Sequence, residues 1–186
     1  MKKFELTSET KINIFGKKLF RIKALISFAD VEAGETGGWV EKEGNVNQSG
    51  DAWVYGNAEV YGNAWVSGNA IVYGDAMVYG NAEVSGNAKV YGNAMVSGNA
   101  MVSGNAWVSG DAMVSGDADY TTIHGFGTQF RTTTFFRCKD KKVRVACGCF
   151  FGTIPEFREQ VKNTRKGKIA EEYLMIADLM EKHFEK

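Results

Sequence analysis

The chain has 186 residues, with 22 Lys plus Arg against 22 Asp plus Glu, so net charge alone names no partner. Its length fits one domain or a repeat array with small appended pieces. Gly is abundant at 22 and Pro nearly absent at 1, which points to ordered tight turns rather than linker-type disorder.

The opening MKKFELTSET has no apolar run after its lysines, so no secretory signal is expected there. No segment approaches membrane-spanning length. The three cysteines are expected as reduced thiols, and the chain is expected in the cytoplasm, away from membranes. Lys11–Phe15 and Leu19–Leu25 read as a hairpin around Gly16-Lys17-Lys18, forming an N-terminal β cap over residues 1–44.

From Asp51 to Gly116 the sequence is eleven uninterrupted hexads, beginning DAWVYG NAEVYG NAWVSG. NVNQSG (45–50) and DADYTT (117–122) are degraded copies, giving a repeat region of 45–122. The unit Val-x-Gly-(Asn/Asp)-Ala-x resembles that of the hexapeptide-repeat family. That resemblance implies a left-handed parallel β-helix, a solenoid in which three hexads make one triangular coil. At about 4.8 Å per coil the prism would be roughly 20 Å long. Val suits an extended strand and points inward, each burial contributing roughly 1.5–3 kcal/mol. Ala is the second inward residue. Gly with Asn or Asp makes the corner, and stacked asparagines can form ladders.

Residues 18 apart share a row, which sorts outward positions into three faces. The first carries Trp53, Ile71, Lys89 and Trp107, with Tyr55, Tyr73 and Tyr91 beside them. The second carries Glu59, Met77, Met95 and Met113, and the third Trp65, Glu83, Met101 and Asp119. The aromatic first face is one a soluble monomer rarely leaves bare. Self-association, as a dimer or trimer, or coverage by the chain's own ends would hide it. Trp53, Tyr55, Ile71, Tyr73, Tyr91 and Trp107 are the candidate interface.

The N-terminal stretch FRIKALISFADVEAGETGGWVEKEGNVNQSGDAWVYG resembles the opening of YdcK-like hexapeptide proteins of bacteria and their phages. The resemblance carries no activity with it.

Residues 123–186 read as a small α+β domain, a hairpin plus two helices. Thr132–Cys138 and Val143–Phe150 alternate as the hairpin strands. Thr153-Ile154-Pro155-Glu156 is a capping box that starts a helix ending near Asn163. Lys168–Glu185 is amphipathic, with Ile169, Tyr173, Ile176, Leu179, Met180 and Phe184 on one side. Net charge is +1 over 1–44, −6 over 45–120 and +5 over 121–186. If Cys138 faces Val143, then Arg137 faces Arg144, with Phe135 nearby and Arg131 continuing the row. Arginines beside an aromatic ring suit an anion or a nucleotide.

No catalytic residues, cofactor or metal are expected. The hexads hold no histidine and no inserted loop, whereas acyltransferases of this resemblance use a histidine at a coil cleft. His124 lies outside the coils and could act as a general base only at their end. Two histidines cannot build a three-histidine zinc site. Cys138, Cys147 and Cys149 would share one hairpin face with Val143, Val145 and Phe136, a pattern of buried thiols. The expectation is a non-catalytic binding scaffold that assembles with itself, and nucleic acid is not an expected partner. The resemblance to phage and prophage proteins adds two further possibilities: occlusion of a host defence protein, and sequestration of a signalling nucleotide.

Overall fold

Alternation of apolar and polar residues, then a glycine every sixth position, dictates the two kinds of β structure in the chain. A computed structural model describes residues 2–185, apart from the side chain of Asp117. Three strands come first: β1 (Phe4–Ile12), β2 (Lys18–Ala24) and β3 (Thr36–Val40). β1 and β2 form an antiparallel hairpin, but β1 begins seven residues before the expected strand, and its turn is closed by Asn13. The Asn13 side chain accepts from the amides of Phe15 and Lys17, so Ile14 and Phe15 leave the strand for the turn.

Eleven two-residue strands follow, one per hexad. On the first face β4 (Trp53–Val54), β7 (Ile71–Val72), β10 (Lys89–Val90) and β13 (Trp107–Val108) pair in parallel. On the second, β3 is joined by β5 (Glu59–Val60), β8 (Met77–Val78), β11 (Met95–Val96) and β14 (Met113–Val114). The third stacks β6 (Trp65–Val66), β9 (Glu83–Val84) and β12 (Met101–Val102). Each step is 18 residues, as three hexads per coil require, and every inward Val and Ala of the hexads is buried.

Glycine makes the corner. Gly50 through Gly110 take φ between +60° and +74°, a region where L side chains are strained. At Gly86 a Cβ would also meet the backbone nitrogen of Gly104 at 2.9 Å. The asparagines stack outside these corners, as in Asn69 Nδ2 to Asn87 Oδ1 at 3.0 Å and on to Asn105 at 3.0 Å. The row Asn63-Asn81-Asn99 does likewise, and its last expected member, the Asp117 side chain, lies outside the described residues.

The solenoid starts earlier and stops sooner than the repeat suggests. Trp39 and Val40 already pair with Glu59 and Val60, so the first coil lies partly within residues 1–44. That coil is two residues longer than the rest, with a 3-10 turn at Glu43–Asn45. At the other end Gly116 has φ −167°, so no corner forms. Asp119 turns back to accept from the amide and hydroxyl of Ser115, and it does not continue the third face.

Both open ends are closed by polar groups of the chain itself. At the first coil the buried Lys3 ammonium donates to the carbonyls of Gly50 and Ala52, at 3.1 and 2.8 Å. Asn45, buried too, donates to the carbonyls of Gly62 and Ala64. At the last coil the amides of Trp107, Ser103 and Ser115 donate to Thr134, Tyr120 and Asp119 respectively.

The C-terminal unit has four antiparallel strands, not two: β15 (Tyr120–Phe126), β16 (Arg131–Arg137), β17 (Val143–Cys147) and β18 (Phe150–Thr153). The degraded hexad DADYTT thus supplies the start of β15. The expected strand Val143–Phe150 is broken by Gly148 at φ +61°. One side of this sheet, with Phe136, Cys138 and Ala146, joins the solenoid core. The other, with Phe135 and Val145, packs on α1 (Ile154–Thr164) and α2 (Gly167–Phe184). Thr153 caps α1 with Glu156 in the expected box. On α2, Tyr173, Ile176, Ala177, Met180 and Phe184 face inward, whereas Leu179 is exposed, one helical step off that stripe.

Candidate functional site

The first face is assembled by the 18-residue stacking, but only its middle and end are open. Trp53 is fully buried, with Phe4 and Phe28 edge-on at 5.9 and 5.4 Å. It belongs to the N-terminal cap and is no interface residue. Tyr55 packs half-buried against it. Beyond them Tyr73 and Tyr91 stack face to face at 4.8 Å. Burial and the neighbouring Tyr91 push the Tyr73 hydroxyl above its usual range. Ile71 is half-buried, and Lys89 sets its ammonium 5.3 Å from the ring centre of Trp107, which is exposed.

A second tyrosine stack, Tyr61 on Tyr79 at 5.1 Å, lies on the second face. Phe15, from the hairpin turn, packs over both rings, which removes that face from solvent at its N-terminal end. Sequence reasoning missed this, because nothing in the hexads says where the hairpin tip lies.

The expected arginine cluster is not formed. In β16 and β17 Arg137 faces Val143 and Phe136 faces Arg144, one step from the assumed register. A one-residue shift sends alternate side chains to opposite faces, so Arg137 and Arg144 are on opposite sides of the sheet. The turn causes the shift: Lys141 adopts φ +62°, and Cys138 accepts its amide and donates to the Lys142 carbonyl, so the loop is one residue shorter than expected and Lys142 stands opposite Cys138. Arg137 pairs with Asp119 at 3.5 Å and donates to the Phe184 carbonyl at 3.1 Å. Arg144 pairs with Asp140 at 2.8 Å, and that guanidinium holds the Asp140 carboxyl below its usual range. Phe135 is fully buried beneath α1 and can meet no ligand.

Of that set, Arg137 lines a shallow hollow that Glu181 and Glu185 also line, whereas Arg131 lines a cleft with no carboxylate in its wall. A cleft of about 410 Å3 lies between the Gly127–Arg131 turn, the Cys147–Phe151 turn and the helices. Arg131 and Arg165 both line it, with Phe150, Phe157 and Tyr173 as its aromatic wall. Arg165 was missed by sequence reasoning; the signal available was the break between two helices at Asn163-Thr164-Arg165-Lys166-Gly167.

The thiols and the histidine are dispersed. Cys138 is buried at the solenoid end, and burial pushes its thiol up to about 11. Cys147 is on the helix side, accepting from the Thr133 hydroxyl, and Cys149 is exposed past the turn. The expected common face for the three does not exist, for the same reason of register. Among the described residues no group of three or more His, Cys, Asp or Glu could hold a metal ion. His124, exposed on β15, is bonded through Nδ1 to the Thr132 hydroxyl at 3.1 Å.

No helix among the described residues is long and apolar enough to cross a membrane. No curated protein matches the chain. The family model of the YdcK beta solenoid repeat matches residues 52–68, 58–74, 64–80, 88–104 and 96–110, all within the stacked hexads. Together with the parallel coils, that match makes the hexad region a β-solenoid of the YdcK repeat type.

Proposed function

We propose that the protein is a non-catalytic binding scaffold that pairs with a second copy of itself through the first solenoid face. The observation that carries the reading is the open column of Ile71, Tyr73, Lys89, Tyr91 and Trp107, left uncovered when both ends of the prism are capped by the chain's own residues. Rigid stacked rings lose little conformational freedom on association. Lys89 is the one charge among these outward side chains. A two-fold axis through the Tyr73–Tyr91 stack sets each Lys89 against the partner copy's Ile71, so no like charges meet in an isologous contact. Trp53 takes no part, being sealed inside the cap.

The test is mass by light scattering. The wild type should pair, and Tyr73→Glu or Tyr91→Glu should return the monomer mass, because an added carboxylate would be buried without a partner. If both variants keep the wild-type mass, this face is not the contact. The competing reading, an acyltransferase with His124 as base, predicts acetyl-CoA turnover that is lost in His124→Ala. Uninterrupted hexads and a His124 that faces Thr132 on a strand outside the coils favour the scaffold.

A further inference from the structure

The C-terminal unit holds five arginines, and they divide into two groups. Arg137, Arg144 and Arg158 each make an ion pair with a carboxylate, Arg158 with both Asp178 and Glu181 at 2.7 Å. Arg131 and Arg165 make none among the described residues, and both are exposed. They line one cleft whose wall contains no acidic residue. Two uncompensated guanidinium groups converging on a concave surface form a site for an anion, since each offers a planar fork of donors.

The aromatic wall of the cleft is held in place. Phe157 stands edge-on to Tyr173 at 5.8 Å and is 5.4 Å from Phe150. The Tyr173 hydroxyl donates to the Phe126 carbonyl at 3.2 Å, which fixes that ring against the turn before β16. Gln160 and Thr164 from α1, with Thr128 and Gln129 from the opposite turn, add hydrogen-bonding groups at the rim. The volume falls within the range of roughly 300–1,000 Å3 typical of small-molecule sites.

We propose that this cleft binds a small organic anion carrying a planar ring, the charge held by Arg131 and Arg165 and the ring against Phe150, which the buried Phe157 backs. Arg131 also lines a hollow beside Trp107, whereas Arg165 shares no hollow with the solenoid face, so binding lost in Arg165→Gln with the pairing mass unchanged separates this site from pairing. Calorimetry on the full chain with two probes tests it: adenosine monophosphate for a ring phosphate, and nicotinate for a ring carboxylate. At least one should bind saturably with a dissociation constant below about 1 mM. Adenosine, or inorganic phosphate, should bind at least about tenfold more weakly than the nucleotide if the phosphate is the group held. Arg131→Gln and Arg165→Gln should each weaken the bound probe by about tenfold or more. Arg158→Gln, outside the cleft and paired with its own carboxylates, should leave it unchanged. Bound probe should also slow alkylation of Cys149 by iodoacetamide, because Cys149 lines the same cleft. No saturation by either probe would overturn the proposal, as would binding that survives both arginine changes intact.

Discussion

The ammonium of Lys3 lies 2.8 Å from the carbonyl oxygen of Ala52, buried under the ring of Phe28. A solenoid leaves backbone acceptors of its first coil without a preceding coil, and here a side chain from just before β1 reaches across to meet them. The arrangement is costly as well as useful, because desolvation lowers the Lys3 pKa to about 8.

That cost gives a pH signature. In the unfolded chain Lys3 keeps its proton up to the ordinary lysine range, whereas in the fold it releases it near 8. Between those values the unfolded state binds more protons, so this group's contribution makes stability rise with pH. Cys138 acts oppositely above about pH 9, since its buried thiol holds its proton up to about 11. Comparison with Lys3→Met isolates the lysine. Denaturant midpoints should show the wild type gaining on Lys3→Met between pH 8 and 10, and a constant gap would refute the assignment.

The corner glycines are not equivalent. Gly86→Ala should cost at least about 1–2 kcal/mol from the left-handed backbone alone, before the clash with Gly104 is relieved. Gly116→Ala occupies the same place in the repeat but has extended backbone and open space around it, so it should change stability by less than about 0.5 kcal/mol. Thermal melts of the two variants decide the matter; equal losses would mean that Gly116 is a corner after all.

Asp75 interrupts an amide ladder. It accepts from Asn57 at 3.1 Å but has no donor to pass on to Asn93, whereas Asp111 ends its row and accepts from Asn93 at 3.4 Å. Asp75→Asn supplies the missing donor on an exposed edge and should stabilise by about 0.5–1 kcal/mol. The same change at Asp111, which has no following rung to reach, should give nothing measurable by denaturant titration.

Thr134 closes the last coil by accepting the Trp107 amide at 3.0 Å, and it is buried. Thr134→Val keeps the shape and removes the acceptor, at a cost of about 1–3 kcal/mol. Hydrogen exchange should show the Trp107 amide losing protection in the variant. Protection equal to wild type would mean that another group caps that edge.

The hexads by themselves determined the corners and the inward side of the coil. A glycine every sixth residue fixes where the chain can turn, and a buried valine two residues before each glycine fixes which side goes in. Three hexads to a coil came from the resemblance to the hexapeptide-repeat family, and with that number the spacing stacks Trp53, Ile71, Lys89 and Trp107 in one column. The capping box at Thr153 was equally legible, because it depends only on groups three residues apart. What lies between distant segments was not. Whether Trp53 is an exposed anchor or a buried one depended on Phe4 and Phe28, which approach it from far along the chain. Whether Arg137 meets Arg144 depended on a single step of register set by the turn at Lys141. Arg131 and Arg165 share a cleft only because the sheet caps the prism on one side and holds the helices on the other. Periodicity specifies local geometry, while partners of high sequence separation are chosen by packing, and the candidate anion site is made entirely of such partners.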